Sequence, residues 1–193
     1  MSTRDADSIS SSLLTRVRGS DAVAWRRLVD LYSPLIYHWA RRAGLDEADA
    51  ADVVQDVFAA VHGRVGAFDR DREGGTFRGW LRTITRHKVS DCLRKHQRHP
   101  TAEGGTDALD RLNQAAVPED DDAAADDAGV TRRGLDLIRA EFTEKTWAAF
   151  HGTALDGRPA AEVARELGMS LGAVYIARTR VFKRLREELQ GLL

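Results

Sequence analysis

Between Pro100 and Gly129 the chain loses the large apolar residues that a packed element needs, and this gap decides the architecture on either side. The segment is mostly Gly, Ala, Asp and Glu, includes EDDDAAADDAG, and over 100–130 carries nine acidic side chains against one basic. With so little apolar surface it cannot offset the entropy of ordering its own backbone, which predicts a flexible acidic linker. The 193 residues then divide into two small modules, 20–99 and 131–193, each near the lower limit of what buries a useful core.

The formal net charge of -1 conceals this division. Residues 21–99 carry 14 basic and 11 acidic side chains, and residues 131–193 carry 11 and 8. Two mildly basic modules around an acidic linker suit a nucleic-acid binder. The single cysteine, Cys92, excludes an internal disulfide framework and fits a reducing, cytoplasmic setting. No membrane span is expected, because no apolar run reaches about eighteen residues. The N-terminal MSTRDADSISSS is too acidic for a signal peptide, so residues 1–19 are expected to be a flexible tail.

Apolar residues recur at spacings of three and four with almost no strand signal, which predicts an all-α protein. A first helix is expected over Asp21–Tyr32, with a break at Ser33-Pro34 and a second segment through Arg42 to a stop at Gly44. Further helices are expected over Asp46–His62 and Thr76–Gln97, separated by a charged, glycine-rich loop, Phe68–Gly75. Beyond the linker, helices are expected from Thr131 to near Phe142 and over Glu144–Leu155.

The helix Asp46–His62 has two unlike faces. A projection of about 100° per residue puts Val54, Val57, Phe58 and Val61 together, with Asp49, Asp52, Gln55 and Asp56 opposite. No Lys or Arg interrupts it from Asp46 through Val61. Carboxylates without local cations suit a basic protein partner and repel DNA. The helix Thr76–Gln97 is the reverse. Phe77, Trp80, Leu81, Ile84, Val89 and Leu93 form its packing face, while from Thr76 to His99 seven basic residues, Arg78, Arg82, Arg86, Lys88, Arg94, Lys95 and Arg98, stand against one acid, Asp91. His87, His96 and His99 add charge at lower pH. A phosphate backbone would neutralise so one-sided a run with counterion release.

Residues Pro159–Leu193 read as a helix, a glycine turn and a basic helix, a pattern that places a helix in the DNA major groove. Pro159 opens the first helix, Val163, Ala164 and Leu167 supply its apolar face, and Gly168 ends it. Ser170 is placed to cap LGAVYIARTRVFKRLREEL. In that helix Leu171, Val174, Val181, Phe182 and Leu185 are expected to be buried. Gly172, Ala173, Ile176, Thr179, Arg180 and Lys183 then face outward, with Arg178 expected toward the buried side.

Together these pieces resemble a bacterial RNA polymerase sigma factor of the sigma-70 family, in its extracytoplasmic function (ECF) group. The resemblance covers about Ser20–His99 and Thr131–Leu189. It rests on ADAADVVQDVFAAV, on FRGWLRTITRHKVSDCLRK, which is similar to the family's FRxWLxxIxRNxxxDxLR, and on RPAAEVARELGMSLGAVYIARTRVFKRLREEL. Two modules, without the extra domains of housekeeping members, match the ECF layout. The resemblance implies a sigma domain 2 helical bundle over 20–99 and a sigma domain 4 helix-turn-helix over 131–193.

It also implies site roles. Asp49, Asp52, Val53, Gln55, Asp56 and Phe58 fall where the family docks on core RNA polymerase. The loop Phe68–Gly75 and Arg78, Arg82, Arg86, His87, Lys88, Arg94 and Lys95 fall where it reads and opens the promoter -10 element. Ser170, Gly172, Ala173, Tyr175, Ile176, Thr179, Arg180 and Lys183 fall where it reads the -35 element. His87 stands where the family usually has Asn, and Tyr175-Ile176-Ala177 where basic and polar residues are common. Implied partners are core RNA polymerase and promoter DNA, with an anti-sigma factor as a further possible one.

The competing class is a stand-alone helix-turn-helix regulator, which needs neither the acidic nor the basic helix of the first module. An enzyme is not expected. There is no G-x-x-x-x-G-K, H-E-x-x-H or paired-cysteine pattern, and the six histidines are scattered, so no catalytic residue, metal site or cofactor is expected.

Overall fold

The computed structural model describes residues 12–68, 76–98 and 123–192, and among them there is no strand. The helices are α1 (Leu13–Arg18), α2 (Ala22–Arg42), α3 (Glu47–Arg64), α4 (Phe77–Arg98), α5 (Ala123–Ile138), α6 (Glu144–Phe150), α7 (Ala160–Leu167) and α8 (Leu171–Leu189). Short 3-10 turns at Val65–Ala67 and Arg139–Glu141 and a π turn at His151–Leu155 extend them. Two compact units result. The N-terminal unit is Leu14–Val130 with Gly191–Leu193; the C-terminal unit is Thr131–Gln190 with Met1–Leu13, of which residues 12 and 13 are described.

In the N-terminal unit α2, α3 and α4 pack against one another. Their starts are fixed locally. The Asp21 carboxylate caps α2 by accepting the Val23 and Ala24 N–H groups, and Asp46 caps α3 by accepting Asp49 N–H at 2.9 Å. At the start of α4 the Thr76 hydroxyl accepts Gly79 N–H. Leu28, Leu31, Tyr32, Ile36, Val57, Val61, Phe77 and Leu81 fill the space between the helices, each at most 1% exposed. Phe77 lies at the centre of the aromatic packing, 5.5 Å between ring centroids from each of Tyr32, Phe68 and Trp80. The Tyr32 hydroxyl donates to the Leu192 carbonyl at 2.9 Å, which satisfies a buried phenol.

Three local expectations are corrected here. Ser33-Pro34 does not break the helix, since α2 runs through it. Pro34 and Asp30, the residue whose carbonyl loses an amide partner, are both exposed, so water can serve that carbonyl. Leu28, Leu31, Leu35, Ile36 and Trp39 meanwhile hold both halves in one buried stripe. The supposed tail contains α1, whose Leu13, Leu14 and Val17 are buried. The buried stripe of α3 is Ala50, Val53, Val57, Phe58 and Val61, so Val54 lies at its margin.

The linker expectation is also revised at its C-terminal end. Residues 99–122 lie outside the described residues, but the Ala-rich stretch from Ala123 is helical and opens α5. Alanine is the best helix former, and Asp126 sits in the first turn, where the helix dipole favours a carboxylate.

In the C-terminal unit α8 packs on α6 and α7. Small residues set the spacing. Ala149, Val163, Ala164, Val174 and Ala177 form a buried cluster joined by Ala160, Leu167 and Met169. A Cβ on Gly134 would come within 3.1–3.3 Å of the Leu185 and Leu189 methyls, so a side chain there would be crowded. Gly168 ends α7 at φ 56°, while Met169 N–H returns to the Ala164 carbonyl at 2.8 Å. Pro159 precedes the first helical residue by one position.

Candidate polymerase and promoter interfaces

On α3, Asp52, Gln55 and Asp56 are exposed and Asp49 is half-buried. Val53 and Phe58 are 2% and 8% exposed, with Phe58 edge-on to Trp25, so they support this face from beneath. Asp49 is already engaged, its Oδ1 standing 3.4 Å from His96 Nε2 on α4. Cys92 completes the group, with donor atoms of all three within 4.8 Å. Burial first, and then the Asp49 carboxylate, push the Cys92 thiol above its ordinary range. These donor types could hold a divalent ion, and the Asp49 carboxylate is already close to the His96 imidazole. Asp52 and Asp56 remain the outward acids.

Helix α4 divides its cations between two directions. Arg86 and His87 are exposed, beside exposed Gly79 and Thr83. Lys95 and Arg94 are exposed farther along, with Arg94 paired to Asp91, and Lys88 is half-buried. Arg78 and Arg82 lie at another edge. The Arg82 guanidinium stands 6.0 Å from the centre of the Trp39 ring, and the Trp39 indole N–H donates to Asp126 of α5 at 3.1 Å. Arg78 lies 3.9 Å from Asp126 and 3.3 Å from Asp127. Phe68 packs on Phe77 and Trp80, whereas residues 69–75, the rest of the loop expected to read the promoter, lie outside the described residues.

In the C-terminal unit, Ser170 adopts extended backbone and its hydroxyl accepts Ala173 N–H at 3.1 Å, capping α8. Val174, Ala177, Val181, Leu185, Glu188 and Leu189 are buried. Gly172, Tyr175, Ile176, Thr179, Arg180 and Lys183 are exposed, and Ala173 is half-buried. Tyr175 and Ile176 are large side chains left 52% and 61% exposed. Two orientations differ from the sequence reading. Leu171 and Phe182 are 47% and 40% exposed, and Arg178 is exposed with its guanidinium 5.7 Å from the Phe182 ring centre. Ala177 and Glu188 are buried on α8 instead, and Phe182 meets the core through its edge-on contact with buried Phe150 at 5.3 Å between ring centroids. Glu188, 2% exposed, is held by Arg184, which donates to it at 2.7 Å and to Glu141 at 2.6 and 3.0 Å. Burial opposes the charge on Arg184, but these two carboxylates together keep its pKa raised.

Residues 28–99 match the family described as sigma-70 region 2. Over nearly its whole length the chain is similar to the ECF RNA polymerase sigma factor ShbA of Streptomyces griseus, at 30% identity covering 94% of this chain and 96% of ShbA. The chain belongs to the ECF sigma factors of the sigma-70 family. It is also similar to the RNA polymerase sigma factor NccH of Alcaligenes xylosoxydans, at 32% identity over 58% of each chain. With the ECF RNA polymerase sigma factor SigE of Mycolicibacterium smegmatis it shares 28% identity over 88% of this chain. The matched regions span 58% of NccH and 62% of SigE, about three-fifths of each. The acidic helix α3 and the basic helix α4 lie in one unit, and α7 and α8 lie in the other. No helix among the described residues is long and apolar enough to cross a membrane.

Trp39 and the acids of α5 escaped the sequence reading. Trp39 follows the periodicity of α2 and reads as core. The Ala spacing in EDDDAAADDAG was the available signal for α5, because alanine separates its acids into helix-compatible steps.

Proposed function

We propose that this ECF sigma factor docks on core RNA polymerase and directs it to promoters by reading a -10 element with the N-terminal unit and a -35 element with the C-terminal unit. It performs no chemistry of its own and works where the polymerase is, in the cytoplasm, with an anti-sigma factor as a further partner. The observation that carries this reading is the pairing, within one unit, of the outward acids Asp52 and Asp56 on α3 with the outward Arg86 and His87 on α4. A protein surface of positive potential suits the first and nucleic acid the second. A stand-alone regulator would have no use for either. In α8, the small Gly172 permits close backbone approach, Ile176 suits thymine methyls, and Arg180 suits guanine or phosphate.

The test is transcription by purified core polymerase from a library of genomic fragments, with and without the chain. Specific, chain-dependent transcripts are expected. Tight duplex binding by the folded chain alone, with no affinity for core polymerase, would support the stand-alone regulator instead.

A further inference from the structure

Trp39, Arg78 and Arg82 form an aromatic and cationic edge at the base of the basic helix α4, the combination that holds a nucleic-acid strand by stacking and phosphate contact. Two acids of α5 occupy it. The Asp126 carboxylate accepts the Trp39 indole N–H at 3.1 Å and stands 3.9 Å from Arg78, while Asp127 stands 3.3 Å from Arg78. Trp39 is 4% exposed and the side chains of Arg78 and Asp126 are 14% and 11% exposed, whereas that of Asp127 is 44% exposed.

The contact is also incomplete. Although it is near Arg78 Nε, the buried Asp127 Oδ1 receives no hydrogen bond among the described residues. A desolvated carboxylate oxygen without a donor lowers the net stability of the contact that buries it. Such an occupant can be exchanged for an anion that meets the same guanidinium in better alignment. Phosphate presents several acceptor oxygens to an arginine fork.

We propose that Asp126 and Asp127 act as an internal substitute for phosphate on the Trp39–Arg78–Arg82 edge, and that promoter single strand displaces them when it binds. The start of α5 thus restrains DNA binding by the free chain. The inference rests on the reading of α4 as a DNA-binding helix. It commits the acids that precede the second unit to a second role, that of a competitor with the nucleic acid.

The test uses the full chain and a fluorescein-labelled, random-sequence 20-nucleotide DNA single strand, with affinity measured by anisotropy. The double variant Asp126→Asn/Asp127→Asn keeps side-chain size and an acceptor for Trp39 but removes both charges. It is compared with Asp120→Asn/Asp121→Asn, which makes the same change in net charge outside α5. The first variant should bind about three- to tenfold more tightly than the second, an effect of two local ion contacts beyond general repulsion. Amide exchange over residues 123–130 should also rise in the wild-type chain when the strand is added. Equal affinities of the two variants, or unchanged exchange at saturating DNA, would overturn the displacement. If no variant binds and Arg86→Glu changes nothing, the reading of α4 itself has failed. Urea unfolding of each variant identifies any loss of binding caused by loss of fold.

Discussion

Single residues show where the fold depends on charge. At the entry to α2, hydrogen bonds from the Ala24 N–H, then from the Arg16 side chain, hold Asp21 below its ordinary value of 3.8. A carboxyl whose folded pKa is lowered contributes stability above its unfolded pKa, and that contribution disappears as pH falls through the folded value. Asn is also a good cap, so Asp21→Asn removes the charge and keeps the cap. Urea midpoints of wild type and Asp21→Asn should differ near neutrality and converge as pH drops through and below 3.8. In the C-terminal unit, Arg184→Met should cost about 3 kcal/mol, because Glu188 stays buried after losing a charge partner. Chemical unfolding would measure it. On the exposed side of α8, Arg180→Ala should weaken binding to a -35 duplex by about 1–3 kcal/mol if its guanidinium forks onto a base. An unchanged footprint would remove it from the interface.

At the scale of elements, the sequence displayed periodicity well and interruption poorly. Helices α3, α4, α7 and α8 lie within a residue or two of their expected positions, because apolar spacing and the acidic, hydroxyl or glycine caps point to the same ends. Pro34 misled because a proline on the exposed side of a long amphipathic helix forfeits one bond while the buried side continues. The start of α5 misled because a composition too polar to fold alone becomes ordered once Asp126 finds Trp39 and Arg78. In α8 the apolar Leu171 and Phe182 were assigned inward, but small Ala177 takes the close approach to α7. The site was legible to a similar depth. Charge type distinguished the two helices, but which acids and cations face outward depended on cross-helix partners such as His96 for Asp49. Replacing the outward pair, Asp52→Lys/Asp56→Lys, should reduce capture of core polymerase at least tenfold. The circular dichroism spectrum should be unchanged, since both residues are exposed. Retained capture would move the docking face elsewhere.

For the whole molecule, the near-neutral total charge conceals an uneven distribution: two mildly basic modules, one of them carrying an acidic helix, and an acidic segment between them. The proposed function requires these surfaces to act jointly, one holding polymerase while the others read DNA. The most direct test is run-off transcription by reconstituted holoenzyme on a promoter selected from genomic fragments, comparing wild type with Asp52→Lys/Asp56→Lys and with Arg180→Ala. The account predicts specific initiation by the wild type. It also predicts loss at all promoters for the docking variant, and loss for Arg180→Ala that depends on the -35 sequence. Specific initiation that persists in both variants, with each protein folded, would contradict it.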